Sequence, residues 1–158
     1  MLTQEKNIRL THTGPNTAMG AVFRQYWIPV LLSRQLPEPD GSPVRVKVLG
    51  EELLAFRASD GQVGLVSPRC PHRGADLYFG RNEEQGIRCS YHGWKFDLQG
   101  QCVHMPTSDD DAYCKVKDRA RLTAYPVREW GDMLWAYMGP LDCPELPLME
   151  LALVPENH

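Results

Sequence analysis

Two short segments of this 158-residue chain carry residues suited to binding metal: Cys70-Pro71-His72-Arg73-Gly74 and Cys89-Ser90-Tyr91-His92-Gly93-Trp94. Together they read Cys-x-His, sixteen residues, Cys-x-x-His. Each supplies one thiolate and one imidazole. Each also contains a glycine, Gly74 or Gly93, where the backbone can bend closely around a compact ligand. Two cysteines and two histidines could hold one zinc ion. Common zinc dipods, however, repeat one residue type, whereas here each segment mixes a soft thiolate with an imidazole. The mixture suits a two-iron cluster in which one iron takes both cysteines and the other both histidines, each segment spanning the cluster. Packing alone does not explain two such pairs.

The other cysteines, Cys102, Cys114 and Cys143, read as plain thiols. His104 follows Cys102 by two, like a dipod, but has no matching second pair and reads as an ordinary strand histidine. Five cysteines, an odd number, and an N-terminus (Met1–Leu10) without an apolar secretory core predict a reducing cytoplasm. A net charge of −3 and a pI of about 5.9 argue against nucleic acid as the main partner. Hydrophobic residues at 42% and charged residues at 23% exclude disorder, collagen and coiled coil, and no apolar run approaches a membrane span.

Short strands must position the two segments. Val44, Val46 and Val48 alternate with Arg45 and Lys47, the period-two pattern of a half-buried strand. Residues 53–58 and 62–66 form a hairpin turning at Asp60-Gly61. Further strands are predicted at 86–88, 95–97, 101–104, 125–130 and 133–137, with turns at 98–100 and at Gly131-Asp132. Before them, residues 3–11 predict a helix capped by Thr3, and residues 17–24 a second capped by Asn16 or Thr17, followed by an extended stretch from Tyr26 to Leu32. A turn-rich break at Pro37, Pro39, Gly41 and Pro43 separates these from the strands. The acidic run Ser108–Asp111 reads as a solvated loop, with a docking patch for a basic partner as the sharper alternative. This pattern is all-β, a sandwich or small barrel. It divides as an N-terminal segment (1–35), a β domain (36–140) and a proline-rich connector (141–158).

The two segments resemble the cluster motifs of Rieske 2Fe–2S proteins. The likeness extends along the chain to the large subunit of phthalate dioxygenase-like Rieske oxygenases. It is carried by Leu10-Thr11, Gly14-Pro15, Met19-Gly20, Arg24, Tyr26-Trp27, Pro29-Val30, the run Tyr91–Asp97, Tyr125-Pro126, Glu129-Trp130-Gly131 and Trp135–Pro140. The resemblance implies an antiparallel β-sandwich with both cluster loops at one tip, Cys70 and Cys89 on one iron, and His72 and His92 on the other. The outer imidazole nitrogens would then face an exposed edge where electrons leave. Arg73, beside a ligand, either tunes or docks, or makes a surface salt bridge.

Rieske proteins of respiratory complexes carry an extra cysteine in each loop; Ala75 and Tyr91 stand there, so no bridge forms. They also carry a serine after the second His-Gly, where this chain has Trp94. Fewer hydrogen bonds to the cluster sulfurs predict a potential at the low end of the Rieske range, about −150 mV.

In the oxygenases the cluster passes electrons to a mononuclear ferrous site of two histidines and a carboxylate. His12, His104 and His158 form no helically spaced pair, so that site is expected in a catalytic domain outside this chain. Implied partners are a flavin/iron–sulfur reductase or ferredoxin and the catalytic domain of the same or a neighbouring subunit, whose acidic residue would face His92, in a homotrimer. Neither nucleic acid nor membrane is expected. The competing readings are a stand-alone Rieske ferredoxin and a structural zinc module.

Overall fold

A computed structural model describes residues 2–106, 108–140 and 142–148. Helix α1 (Gln4–Thr11) starts where the Thr3 hydroxyl accepts a hydrogen bond from the Lys6 N–H at 3.3 Å. That bond satisfies one of the N–H groups the first helical turn leaves open. Helix α2 (Ala18–Phe23) uses Thr17 in the same way, accepting from Gly20 N–H at 3.1 Å, and ends one residue earlier than predicted, at the C-cap Arg24.

The strands are β1 (Trp27–Leu32), β2 (Val44–Val48), β3 (Glu51–Arg57), β4 (Val63–Val66), β5 (Arg81–Glu83), β6 (Gly86–Arg88), β7 (Lys95–Phe96), β8 (Cys102–His104), β9 (Val127–Trp130) and β10 (Met133–Tyr137). They make three antiparallel sheets, ordered β1-β10-β9, β2-β3-β4 and β5-β6-β7-β8. The middle strand β3 explains the layering. Its run Leu53-Leu54-Ala55-Phe56 is buried throughout, and successive side chains point to opposite faces. Leu54 and Phe56 join Val66, Leu77, Ile87 and Phe96 in one core. Leu53 and Ala55 join Leu65, Leu134 and Ala136 in another. A strand covered on both faces needs such an unbroken apolar run. Each fully buried Leu, Ile or Phe here contributes about 1.5–3 kcal/mol.

Two elements correct the sequence expectation. The acidic run is not a solvated loop but the start of helix α3 (Asp110–Val116), whose N-cap Asp109 accepts from Ala112 N–H at 2.7 Å. Carboxylates favour this place because the helix N-terminus carries partial positive charge. Strand β5 was not predicted at all: Arg81-Asn82-Glu83 has no β-forming residue. The turn joining it to β6 holds Glu84 and Gln85 at φ +49° and +65°, without the usual Asn-Gly or Asp-Gly signature.

The described part of the connector, 142–148, contains no helix or strand. It is tied back where the Trp27 indole N–H donates to the Pro144 carbonyl at 3.0 Å. Among the described residues no helix is long and apolar enough to cross a membrane.

Candidate metal centre

Both Cys/His segments are hairpin loops of one design. In the first, which follows β4, Cys70 N–H donates to the Ala75 carbonyl at 2.8 Å and Gly74 N–H to the Cys70 carbonyl at 2.8 Å. In the second, between β6 and β7, Cys89 N–H donates to the Trp94 carbonyl at 2.8 Å and Gly93 N–H to the Cys89 carbonyl at 3.0 Å. Each loop turns on a left-handed glycine four residues after its cysteine: Gly74 at φ +70° and Gly93 at φ +73°. At Gly93 a Cβ would also stand 2.8 Å from Pro106 Cγ. The loops differ in where the histidine sits, at the second position after Cys70 and the third after Cys89.

The loops bring like with like. Cys70 and Cys89 are 2% and 3% exposed, both within the core that contains Leu54, Phe56, Ile87 and Phe96, and the Cys89 thiol neighbours that of Cys70. His72 and His92 are half-buried, with ring centroids 4.6 Å apart. Trp94 stacks on His72 at 4.4 Å with the rings 5° from parallel, and the exposed Tyr91 covers His92 at 3.8 Å. Among the described residues no three His, Cys, Asp or Glu side chains converge on one ion-sized point. A thiol pair beside an imidazole pair is the arrangement that two metals with different ligands require.

Two buried polar atoms here have no protein partner, His72 Nδ1 and Trp94 Nε1. Such atoms are costly unless a bound group completes them. Burial, and then the neighbouring His92 and Arg73, hold the His72 imidazolium below its ordinary pKa, so the ring favours its neutral, metal-binding form. Burial pushes the Cys70 thiol up to about 11. It therefore ionises readily only when a cation takes the charge. The donor set and the two unpartnered atoms fit a 2Fe–2S cluster with mixed ligands.

The remaining candidates belong to neither the thiol pair nor the imidazole pair. Cys102 is buried near Cys70, but its thiol contacts the His104 carbonyl at 3.7 Å, and burial pushes it to about 11. Cys143 is exposed. The Cys114 side chain and His158 lie outside the described residues. His104 lies on β8 with Nδ1 3.0 Å from Arg88 Nη1. Arg88 also reaches the second loop, a contact that no motif announces.

Residues 26–126 match the Rieske [2Fe-2S] domain. Over its whole length the chain is 47% identical to the 3-chlorobenzoate-3,4-dioxygenase oxygenase subunit of Comamonas testosteroni, covering 36% of that protein. It is 44% identical to the phthalate 4,5-dioxygenase oxygenase subunit of Pseudomonas putida, covering 100% of this chain and 35% of that protein. The chain thus spans about a third of the length of these curated relatives. Among solved structures, an oxygenase and ferredoxin complex of carbazole 1,9a-dioxygenase matches with a TM-score of 0.65 at 33% identity, over 78% of this chain and 31% of that one. The paired loops, the antiparallel sheets around them and these likenesses agree: the chain belongs to the Rieske [2Fe-2S] domain family, within the branch related to phthalate dioxygenase-type oxygenase subunits.

Proposed function

We propose that this chain is the electron-transfer part of an aromatic-ring-hydroxylating or O-demethylating oxygenase, with Cys70 and Cys89 holding the inner iron and His72 and His92 the outer iron of its cluster. The observation that carries this reading is the segregation of a buried thiol pair from a half-buried imidazole pair on two matching loops. When bound, the cluster takes up one electron and gives it back. The chain's own residues set where that exchange happens. The core excludes water from the two thiols, the glycine turns hold the loops closed, and Trp94 fixes the plane of His72. The exposed Tyr91 and Arg73 border the two histidines, so the imidazole side is the approachable one.

The electron donor is a ferredoxin or a flavin/iron–sulfur reductase. The acceptor is a mononuclear iron in a catalytic domain of the same or a neighbouring subunit of a homotrimer in the cytoplasm. The related oxygenase subunits support an oxygenase as the setting of this domain, and the solved complex of an oxygenase with a ferredoxin supports a ferredoxin as donor. In this division the N-terminal segment 1–35 flanks a Rieske domain over 36–140, and residues 141–158 lead toward the catalytic part. A stand-alone Rieske ferredoxin would be expected to lack α1, α2 and the β9–β10 hairpin, all of which this chain has.

Iron and acid-labile sulfide assays, EPR of the reduced protein and a redox titration test the proposal. The expected result is two irons and two sulfides per chain and a midpoint near the low end of the Rieske range, about −150 mV. Zinc content with no EPR signal would overturn the ligand assignment, and a clearly positive midpoint would remove the argument from Trp94.

A further inference from the structure

Both cluster loops are preceded by an arginine, Arg69 before Cys70 and Arg88 before Cys89, but the two side chains behave differently. Arg69 is 63% exposed and lies 3.5 Å from Asp76. Arg88 is 14% exposed and turns back under its own loop. Its Nη1 donates to the Gly93 carbonyl at 3.0 Å, in the Gly93–Trp94 peptide one residue after His92. The same nitrogen lies 3.0 Å from His104 Nδ1. An arginine can only donate, so in this hydrogen bond the ring nitrogen is the acceptor. Arg88 Nε donates to the Glu83 carboxylate, and Nη2 lies 3.6 Å from Glu84. Glu84 in turn accepts from Lys95 Nζ at 2.9 Å. Arg81 Nε also lies 3.2 Å from Glu83, so three cations surround two carboxylates beneath the second loop. Both carboxyls are held below their usual range, Glu83 chiefly by its hydrogen bond from Arg88 and Glu84 chiefly by that from Lys95, so the network is charged at neutral pH.

We propose that Arg88 is a positioning residue for the cluster: its guanidinium, anchored by Glu83 and His104, clamps the Gly93 carbonyl and so fixes His92 and Trp94 in the second loop. The first loop has no such clamp among the described residues and relies on its own backbone bonds and on Asp76. The planar fork matters as much as the charge. Nε serves Glu83 while Nη1 serves both Gly93 and His104, a fixed planar arrangement that a lysine ammonium at the end of a flexible stem cannot reproduce. The reduced exposure of the guanidinium makes these bonds stronger than the surface pair at Arg69.

This inference rests on Cys89 and His92 being ligands, and the test separates the two. The cluster-loaded chain is compared with Arg88→Gln, Arg88→Lys and, as an internal control, Arg69→Gln. The readouts are iron release to a chelator and the EPR line shape of the reduced protein. Losing one charge-assisted bond on the loop should speed release about tenfold in Arg88→Gln. Arg88→Lys should release several-fold faster than wild type, and Arg69→Gln at the wild-type rate. The Arg88→Gln spectrum should broaden as the second loop samples more geometries, a change that a loss of global stability alone would not produce. Wild-type rates and spectra in Arg88→Gln, or equal acceleration by Arg69→Gln, would overturn the clamp. Should Arg88→Gln not fold, a wild-type rate in Arg88→Lys would overturn it equally. A wild-type chain that binds no iron would instead refute the ligand assignment.

Discussion

Replacing both His72 and His92 by cysteine is expected to lower the midpoint potential by about 250 mV, from the low Rieske range toward that of all-thiolate plant-type ferredoxins. The cause is charge. Two neutral imidazoles with two thiolates leave the oxidised cluster about neutral, whereas four thiolates make it a dianion, and adding an electron to a dianion is harder. The substitution is geometrically reasonable because the two rings already lie side by side, with centroids 4.6 Å apart, on loops closed by the same pair of backbone bonds. Each single variant should move the potential in the same direction by less. A redox titration with EPR detection reads the effect; a cluster retained at an unchanged potential in the double variant would show that these histidines are not ligands.

The second large effect concerns the thiols. Cys70→Ala or Cys89→Ala should abolish cluster binding, although as packing the change is small. Each side chain behaves in the core as a small hydrophobe, and its truncation there costs about 1 kcal/mol. The apo proteins should therefore unfold at nearly the wild-type apo midpoint, while the stabilisation that metal gives the wild type disappears, because binding energy at such a site is folding energy. Cys102→Ala is the matched control. Cys102 is also buried in the same core and near Cys70, but its thiol is directed to the His104 carbonyl. It should keep a full complement of iron and sulfide. A Cys102→Ala protein that loses iron, or a Cys89→Ala protein that keeps it, would contradict this division of roles.

The parts of this molecule legible in the sequence are those encoded locally. The mixed Cys/His pairs and their glycines lie within a few residues of one another, so composition and spacing were enough to suggest two metals with unlike ligands. The Asp60-Gly61 turn and the alternation of Val44, Val46 and Val48 likewise announce β2, β3 and β4. What stayed hidden depends on chain partners far away or on unusual turn chemistry. Strand β5 exists because β6 pairs with it across a turn of two left-handed non-glycine residues. Helix α3 is obscured because its cap and first two residues are acidic, a composition equally typical of solvated loops. Arg88 looks like any strand-end arginine; only the assembly of the β5-β6-β7-β8 sheet brings Glu83 and His104 to its guanidinium. The stacking of Trp94 on His72 joins two different loops and has no signature in either.

In the proposed cluster two imidazoles, one from each loop, are bound to the same redox centre. Pulsed EPR of the reduced protein grown with ¹⁵N-labelled histidine tests it most directly. Two histidine nitrogen couplings are predicted, falling to one in His92→Cys and in His72→Cys. No nitrogen coupling, or couplings left unchanged by both substitutions, would contradict it.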